Sequence, residues 1–284
     1  MPKTRLYRAL RGGEVRVNGA RKKAPYQLRA GDKLRIPPLR RAAANDAPTI
    51  PRDWLDKIPA LFEDESLLVV DKPAGLAAHG GSGLRYGLIE ALRALRPELD
   101  YLELAHRLDR ETSGCLMLAK RREALLGVQS QLRARAVRKD YVALVKGAWR
   151  GGARRIDQPL ARPSRVADAD ARAVEAHSVF APREALRGCT LVAIQLLTGR
   201  MHQARAHAAA DGHPIAGDRV YGDRAFNRVA KQAGLARMFL HAERVRFRHP
   251  RDDATIDIRA ELPDDLRHVL DHLRADASPM LGPP

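Results

Sequence analysis

The strongest constraint on the fold is the irregular succession of short apolar strands and helices after residue 58. Apolar and alternating runs predict strands, whereas apolar residues three or four positions apart predict helices. Strands are predicted over residues 66–71, 115–119, 139–145, 189–197, 238–247 and 254–260. Helices are predicted over residues 84–95 and 121–135, from about residue 200, and over 264–274. Because short connections join many strands, without a fixed repeat or a Rossmann or P-loop glycine motif, we expect an α+β fold with a mixed, mostly antiparallel sheet.

The first 53 residues are more basic than the rest of the chain. They hold 14 Lys and Arg against 4 Asp and Glu, within a formal net charge of +17 for the whole protein. An amphipathic helix is predicted over residues 4–11, then a strand over 14–18 and an alternating strand over 26–36. This charge favours a polyanionic partner, with nucleic acid as the first candidate. A merely solvated basic arm is the alternative interpretation.

The composition changes again between the basic segment and the main strand pattern. Residues 41–57 mix Pro, Ala and charged residues without a sustained period, which is typical of a linker. We therefore divide the chain into a small N-terminal module (1–40), a linker (41–57), a main domain (58–276) and a tail (277–284).

Cysteine usage and hydropathy limit the compartment and the kind of site. Only Cys115 and Cys189 occur, and neither belongs to a C-x-x-C pair, so we expect neither a disulfide framework nor a zinc site. No signal-peptide core is present at the N-terminus, and no apolar run approaches the roughly 20 residues that span a bilayer. We expect a soluble cytoplasmic protein, a monomer by default, that binds neither metal nor membrane.

One stretch is well suited to chemistry, namely HRLDRETSG at residues 106–114, directly before an apolar strand. In it Asp109 lies between two arginines, and neighbouring cations favour the charged form of a carboxylate. Asp109 is therefore a candidate nucleophile or base. From the residues alone, an aspartate that caps the turn and pairs with arginines is the alternative.

HRLDRETSG resembles the R-L-D-x-x-T-S-G motif of the pseudouridine synthases of the RluA type. Four more segments resemble motifs of that family in the same order: DKPAGLAAHGG at 71–81, KDYVALV at 139–145, GRMHQARAH at 199–207 and FLHA at 239–242. The resemblance covers about residues 60–272. It is nearest to the C-type enzymes of large-subunit ribosomal RNA, because of HGGSG at 79–83 and IPP at 36–38. The basic N-terminal module (1–40) resembles the later part of an S4 RNA-binding domain. The usual first helix of that domain would precede residue 1, so this α/β module looks truncated.

The resemblance implies a reaction and three catalytic residues. Such enzymes isomerise a uridine in RNA to pseudouridine, which needs neither a redox cofactor nor a metal. Asp109 matches the catalytic carboxylate, which attacks C1′ as a nucleophile or removes the ribose 2′ proton. Tyr141 matches the tyrosine that stacks on the target base, and Arg205 matches the arginine that pairs with the carboxylate. Without the resemblance, the strand pattern predicts that Tyr141 is a core residue.

Three further residues are expected to bind the substrate. A stacked uridine must be flipped out before it can react, and Arg107 is the candidate to fill the gap, because a guanidinium stacks on bases. A structural ion pair is the alternative for Arg107. Arg200, expected at a helix start, is a candidate phosphate contact or else a solvated arginine. By resemblance Leu240 lines the uracil site, and the turns at 214–222 lie along the same cleft; the sequence alone predicts simple core for Leu240.

The motifs leave the RNA target open. The S4-like segment favours large-subunit ribosomal RNA, and the same chemistry on transfer RNA is the first alternative. A non-catalytic ribosome-assembly factor is the second, which the presence of Asp109, Tyr141 and Arg205 argues against.

Overall fold

The computed structural model describes residues 9–23, 25–37, 58–80, 86–160 and 173–275. The chain divides into two compact units, Met1–Thr49 and Ile50–Pro284. The predicted linker (41–57) and tail (277–284) lie outside the described residues, as do residues 4–8 of the predicted N-terminal helix. Those boundaries therefore stay predictions.

The first unit contains a helical turn over residues 9–12 and two antiparallel strands, β1 (Arg16–Val17) and β2 (Leu34–Arg35). The prediction of one strand over 26–36 is wrong in length. The carboxylate of Asp32 accepts hydrogen bonds from the amide of Arg29 at 3.0 Å and from the side chain of Asn18 at 2.7 Å. These contacts fold the segment before β2 into a turn, because an aspartate side chain competes with the strand ladder for backbone donors.

The second unit is built on a ten-stranded sheet, within the described part of the chain. Its strands are β3 (Ala60–Glu63), β4 (Leu67–Lys72), β5 (Glu103–Leu104), β6 (Ser113–Ala119), β7 (Arg138–Lys146), β8 (Arg154–Ile156), β9 (Ser178–Leu186), β10 (Cys189–Leu196), β11 (Leu240–Arg248) and β12 (Thr255–Arg259). The order is β3-β4-β6-β11-β7-β10-β9-β8, with β5 on β6 and β12 on β11. All pairs are antiparallel except β6 with β11. The expected α+β fold with a mixed, mostly antiparallel sheet is confirmed.

The helices cover both faces of this sheet. They are α1 (Leu88–Leu95), α2 (Arg122–Arg133), α3 (Gln203–Ala210), α4 (Arg224–Gln232) and α5 (Asp264–Ala275). Strand β7 shows how the two faces divide, because successive side chains of a strand point to opposite sides. Tyr141 and Ala143 join one hydrophobic cluster with residues of α1 and α3, while Val142 and Leu144 join another with residues of α4 and α5. This alternation places Tyr141 on the α1 and α3 side of the sheet.

The parallel contact between β6 and β11 positions the chemistry. His241 pairs with Ser113 and Ala242 with Gly114 in this contact. Gly114 has a φ of +108°, and a Cβ built there would lie 2.3 Å from the carbonyl oxygen of Ala242, so only glycine allows the strands to approach so closely. As a result the loop that carries residues 106–112 ends beside the start of β11.

Several elements were not predicted, namely β3, β5, β8, β9 and α4. In β9 the alternation is interrupted by charged residues and by Pro182, opposite a register shift at Leu191 and Val192 of β10. Proline normally argues against a central strand, and a shift in register makes room for it. Long-range pairing, rather than local pattern, therefore decides that this segment is a strand.

Candidate active site

A pocket of about 460 Å³ brings the predicted site residues together. It lies where the loop before β6, strand β7, the start of β11 and the segment that leads into α3 meet. All six residues singled out from the sequence line it: Asp109, Tyr141, Arg205, Arg107, Leu240 and Arg200. A pocket of this size is typical of sites for small ligands or single groups of a larger substrate.

The loop that carries Asp109 is fastened to the segment after β4. The amide of Gly75 donates to the carbonyl of Arg110 at 2.9 Å, and the guanidinium of Arg110 donates back to the carbonyl of Gly75 at 2.9 Å. The fully buried ammonium of Lys72 donates to the carbonyls of Pro73, Leu76 and Arg110 at 2.8, 2.8 and 3.1 Å. Burial lowers the pKa of Lys72 to about 7. These bonds restrict where the carboxylate of Asp109 can lie.

His106 secures the other end of the same loop. Its Nε2 accepts a hydrogen bond from the amide of Met117 at 3.1 Å, which requires an unprotonated nitrogen. Burial lowers the pKa of His106 to about 4, so its ring is neutral at physiological pH. His106 is therefore a positioning residue of the loop.

Arg205 on α3 connects Asp109 to a second carboxylate. Its Nη1 donates to Asp109 Oδ2 at 3.2 Å. Its Nε and Nη2 donate to the two oxygens of Asp218 at 2.7 and 2.8 Å. The guanidinium thus bridges two acids, with the bidentate and shorter contacts on Asp218.

Asp218 itself is held by backbone donors. Its Oδ1 accepts hydrogen bonds from the amides of Val220 at 2.8 Å and Tyr221 at 3.0 Å. Burial would raise the pKa of Asp218, but the bonds from Arg205 and the two amides outweigh it and lower the pKa. Sequence reasoning placed the turns at 214–222 along the cleft without giving Asp218 a role. The only available signal was an aspartate after Gly217 in a turn-rich segment.

His202 and Tyr221 complete the surroundings of Arg205. The guanidinium of Arg205 lies 5.3 Å from the ring centre of Tyr221, and the rings of Tyr221 and His202 meet edge to face at 5.7 Å. Nε2 of His202 is 4.0 Å from Asp109 Oδ2. Burial lowers the pKa of His202. Neither residue was singled out from the sequence as a site residue.

Tyr141 and Leu240 form the apolar side of the pocket. Both are almost completely buried and belong to one hydrophobic cluster. Leu240 pairs with Ala143 in the sheet, which brings it close along β7 to Tyr141. Burial, and then the charge of Asp109, raise the pKa of Tyr141, so its hydroxyl stays protonated at neutral pH. Such a wall suits a flat, weakly polar ring.

The two exposed arginines differ in their contacts. Arg107 makes no side-chain hydrogen bond or ion pair with the described residues, so the structural ion pair considered for it is not found among them. Arg200 donates from Nε to the carbonyl of Glu175 at 3.0 Å. The expectation that Arg200 starts the helix is wrong, because α3 begins at Gln203. Oε1 of Gln203 accepts a hydrogen bond from the backbone amide of Arg200 at 3.0 Å, so this amide is not available to a phosphate.

Residues 66–210 match the model of the family described as RNA pseudouridylate synthase. The chain belongs to the RNA pseudouridylate synthase family. It is accordingly a pseudouridine synthase, an isomerase, and the resemblance inferred from its five motifs is confirmed.

Individual relatives support the assignment over nearly the whole length. Ribosomal large subunit pseudouridine synthase C of Haemophilus influenzae is 45% identical over 284 residues, covering 96% of this chain and 88% of the relative. The protein of the same name from Yersinia pestis is 46% identical over 288 residues, covering 98% and 89%. Among solved structures, human RNA pseudouridylate synthase domain containing 4 is 27% identical with a TM-score of 0.65, covering 78% of this chain and 95% of that one.

No helix in the described ranges is long and apolar enough to cross a membrane. No group of three His, Cys, Asp or Glu within those ranges could hold a metal ion.

Proposed function

We propose that this pseudouridine synthase isomerises specific uridines to pseudouridine in large-subunit ribosomal RNA, with Asp109 as the catalytic carboxylate. The observation that carries the chemistry is the Asp109 carboxylate, held by Arg205 at 3.2 Å in a pocket that Tyr141 and Leu240 also line. The names of the relatives support the ribosomal target, as does the positive charge of the chain. Action on that RNA also fits the cytoplasmic location expected from the sequence.

The reaction exchanges one bond of the base for another. The bond between C1′ and N1 breaks, the uracil turns within the pocket, and a bond between C1′ and C5 forms while C5 loses its proton and N1 gains one. The Asp109 carboxylate starts this sequence either by attacking C1′ or by removing the 2′ proton of the ribose. In both routes Arg205 keeps the carboxylate in place.

Tyr141 and Leu240 are suited to hold the uracil while it turns. The ring of Tyr141 stacks on the base, and Leu240 closes the apolar side without hydrogen bonds that would fix one orientation. Because the hydroxyl of Tyr141 stays protonated, it takes up the C5 proton only if its own proton passes on at the same time. Arg107 is free to occupy the stack that the flipped uridine leaves, and Arg200 lies at the rim as a phosphate contact.

The test is release of tritium from RNA labelled at C5 of uracil, because formation of the new carbon bond expels that atom. Unmodified large-subunit ribosomal RNA is compared with transfer RNA for the parent protein, Asp109→Asn and the control Glu111→Gln. The carboxylate of Glu111 lies in the same loop but is half exposed and lies 3.7 Å from Arg110. We expect release from ribosomal RNA by the parent and by Glu111→Gln and none by Asp109→Asn. Tritium release from transfer RNA alone would show that transfer RNA, and not ribosomal RNA, is the substrate. Undiminished release by Asp109→Asn would refute the catalytic role of that carboxylate.

A further inference from the structure

The pocket has an excess of cations that the residues discussed so far do not explain. Among its described lining residues Asp109 is the single carboxylate. The cations are Arg107, Arg133, Arg135, Lys139, Arg200 and Arg205. Arg205 is neutralised by Asp109 and Asp218, whereas Arg133, Arg135 and Lys139 lie together at the turn between α2 and β7. Of these three, only Lys139 belongs to a motif, KDYVALV, and the sequence assigned it no role there.

Lys139 is a largely buried cation without an acidic partner. It precedes Tyr141 by two positions on β7, and residues two apart in a strand share a face. Its ammonium donates one hydrogen bond, of 3.3 Å, to the carbonyl of Thr198, and it forms no ion pair with the described residues. Burial lowers the pKa of Lys139 to about 8. An ammonium in such surroundings is destabilised until an anion joins it.

Arg135 occupies a backbone position that favours glycine. It has a φ of 60° just after the C-terminus of α2, where Ala136 N donates to the carbonyl of Gln131 at 2.9 Å to close the helix. Helix ends of this kind prefer glycine, and an arginine in the left-handed conformation is strained. The side chain of Arg135 lines the pocket, and its Nη2 lies 3.6 Å from Oε2 of Glu175. The side chains of Arg135 and Glu175 are 49% and 75% exposed to solvent. So exposed a pair is too weak to explain the residue.

We propose that Lys139 and Arg135 form a phosphate-binding subsite on the α2–β7 side of the pocket, which takes the RNA backbone next to the flipped uridine. The inference rests on the proposed function, since a backbone phosphate is the anion that a nucleotide brings to this wall. Lysine contacts phosphate as a point charge, and arginine offers a planar fork of donors. The uridine thereby enters with its backbone at the α2–β7 turn and its base against Tyr141.

The other groups that line the pocket with Lys139 are compatible with a second negative charge. His106, from the loop before β6, is neutral, and Arg200 and His202 approach from the segment before α3. Arg205 on α3 and Tyr141 on β7 complete the surroundings, and the charge of Asp109 is engaged by Arg205. Among the described residues that line the pocket, a phosphate at Lys139 therefore meets no uncompensated carboxylate, and Glu175 beside Arg135 is 75% exposed.

The experiment measures the dissociation constant of the full-length protein for an unmodified large-subunit ribosomal RNA transcript over a series of KCl concentrations. The variants are Lys139→Met, Lys139→Arg and Arg135→Gly, with Lys146→Met as the control, a lysine of the same strand that pairs with Asp223 outside the pocket. Thermal melting of each variant is recorded alongside. Tritium release by the parent on the same transcript reports the proposed function separately.

We expect Lys139→Met to raise the dissociation constant about tenfold, to reduce the slope of its logarithm against that of the salt concentration by about 0.7 to 0.9, and not to lower the melting temperature. Lys139→Arg should restore the slope. Arg135→Gly should weaken binding while raising the melting temperature, which a purely structural arginine would not do. An unchanged salt slope in Lys139→Met, or binding losses that follow melting losses, would overturn the subsite. A parent that binds RNA with these dependences but releases no tritium would overturn the proposed function instead.

Discussion

Asp218 holds the guanidinium of Arg205 through both of its carboxylate oxygens, at 2.7 and 2.8 Å. The side chain of Asp218 is wholly inaccessible to solvent, whereas that of Asp109 is 19% exposed. Arg205 is therefore oriented from the protein interior, and it reaches Asp109 through one hydrogen bond, from Nη1, at 3.2 Å. The contacts of Arg205 and His202 both fall on Oδ2 of Asp109, and its Oδ1 has no hydrogen bond to the described residues.

Asp218→Asn should weaken both the fold and the reaction. Removing one partner of a buried ion pair leaves the other charge uncompensated, which costs about 3–5 kcal/mol in free energy of unfolding. The single-turnover rate should fall as well, since Arg205 is then free to turn toward Asp109. Urea unfolding and tritium release measure the two effects. Asp271→Asn is the control, because Asp271 and its partner Arg274 are both about half exposed, at 57% and 46%, so the free energy of unfolding should change by less than about 1 kcal/mol. Equal stability losses in both variants would contradict the interpretation.

Tyr141→Phe should separate binding from chemistry. The phenyl ring keeps the stacking surface but loses the protonated hydroxyl, and loss of an acid–base group lowers a rate by on the order of 10²–10⁴-fold. We expect the dissociation constant for RNA to stay within about twofold of the parent value. Single-turnover tritium release at saturating protein measures the rate. A variant that turns over at the parent rate would show that the hydroxyl takes no part in proton transfer.

Arg107→Ala should impair the reaction without affecting the fold. Arg107 is exposed and makes no ion pair with the described residues, so its loss should change the free energy of unfolding by no more than about 0.5 kcal/mol. If it occupies the position of the flipped uridine, the single-turnover rate should fall about tenfold or more, because flipping costs a few kcal/mol. Arg228→Ala, an exposed arginine of α4, serves as the comparison. A stability loss without a rate loss would favour a structural role.

Gly114→Ala should prevent the close approach of β6 and β11. An alanine here would be strained at a φ of +108°, and its Cβ would lie 2.3 Å from the carbonyl oxygen of Ala242. Strain and overlap together should lower the free energy of unfolding by about 3 kcal/mol or more. Gly151→Ala is the matched control, with a φ of +83° and open space around its Cβ, and should cost only about 1 to 2 kcal/mol. Denaturant unfolding distinguishes the two, and comparable losses would disprove the steric argument.

Stability should decrease in mild acid through His106. Its pKa is lowered to about 4 in the folded protein, against about 6.5 when unfolded, so between these values the unfolded chain binds more protons. The contribution of His106 to the free energy of unfolding is fully present above pH 6.5 and is lost as the pH falls toward 4. The loss amounts to about 2 kcal/mol between pH 7 and pH 5. His106→Gln keeps an acceptor for the Met117 amide and should remove this part of the pH dependence. Urea midpoints at several pH values test it, and an unchanged slope in the variant would exclude His106 as the source.

Much of the site could be predicted because its residues belong to short segments with strong local signals. The motif around Asp109 precedes an apolar strand, and Tyr141 lies in an alternating run, so both positions follow from local pattern and resemblance. Strand β9 could not be predicted, since Pro182 and its charged neighbours oppose a strand locally and only pairing with β10 and β8 stabilises it. The start of α3 was placed too early because the side chain of Gln203, rather than a helical bond, satisfies the amide of Arg200.

The local sequence was enough to predict the family and the α+β class and to select Asp109, Tyr141 and Arg205 as candidate site residues, because these predictions depend on motifs and patterns within short segments. The tertiary structure decided that Asp218 orients Arg205, that Lys72 and His106 fasten the loop of Asp109, and that Lys139 and Arg135 share its pocket. Those relationships join residues from separate strands, loops and helices. Distances across a sheet depend on strand order, register and packing, which no local pattern of residues contains.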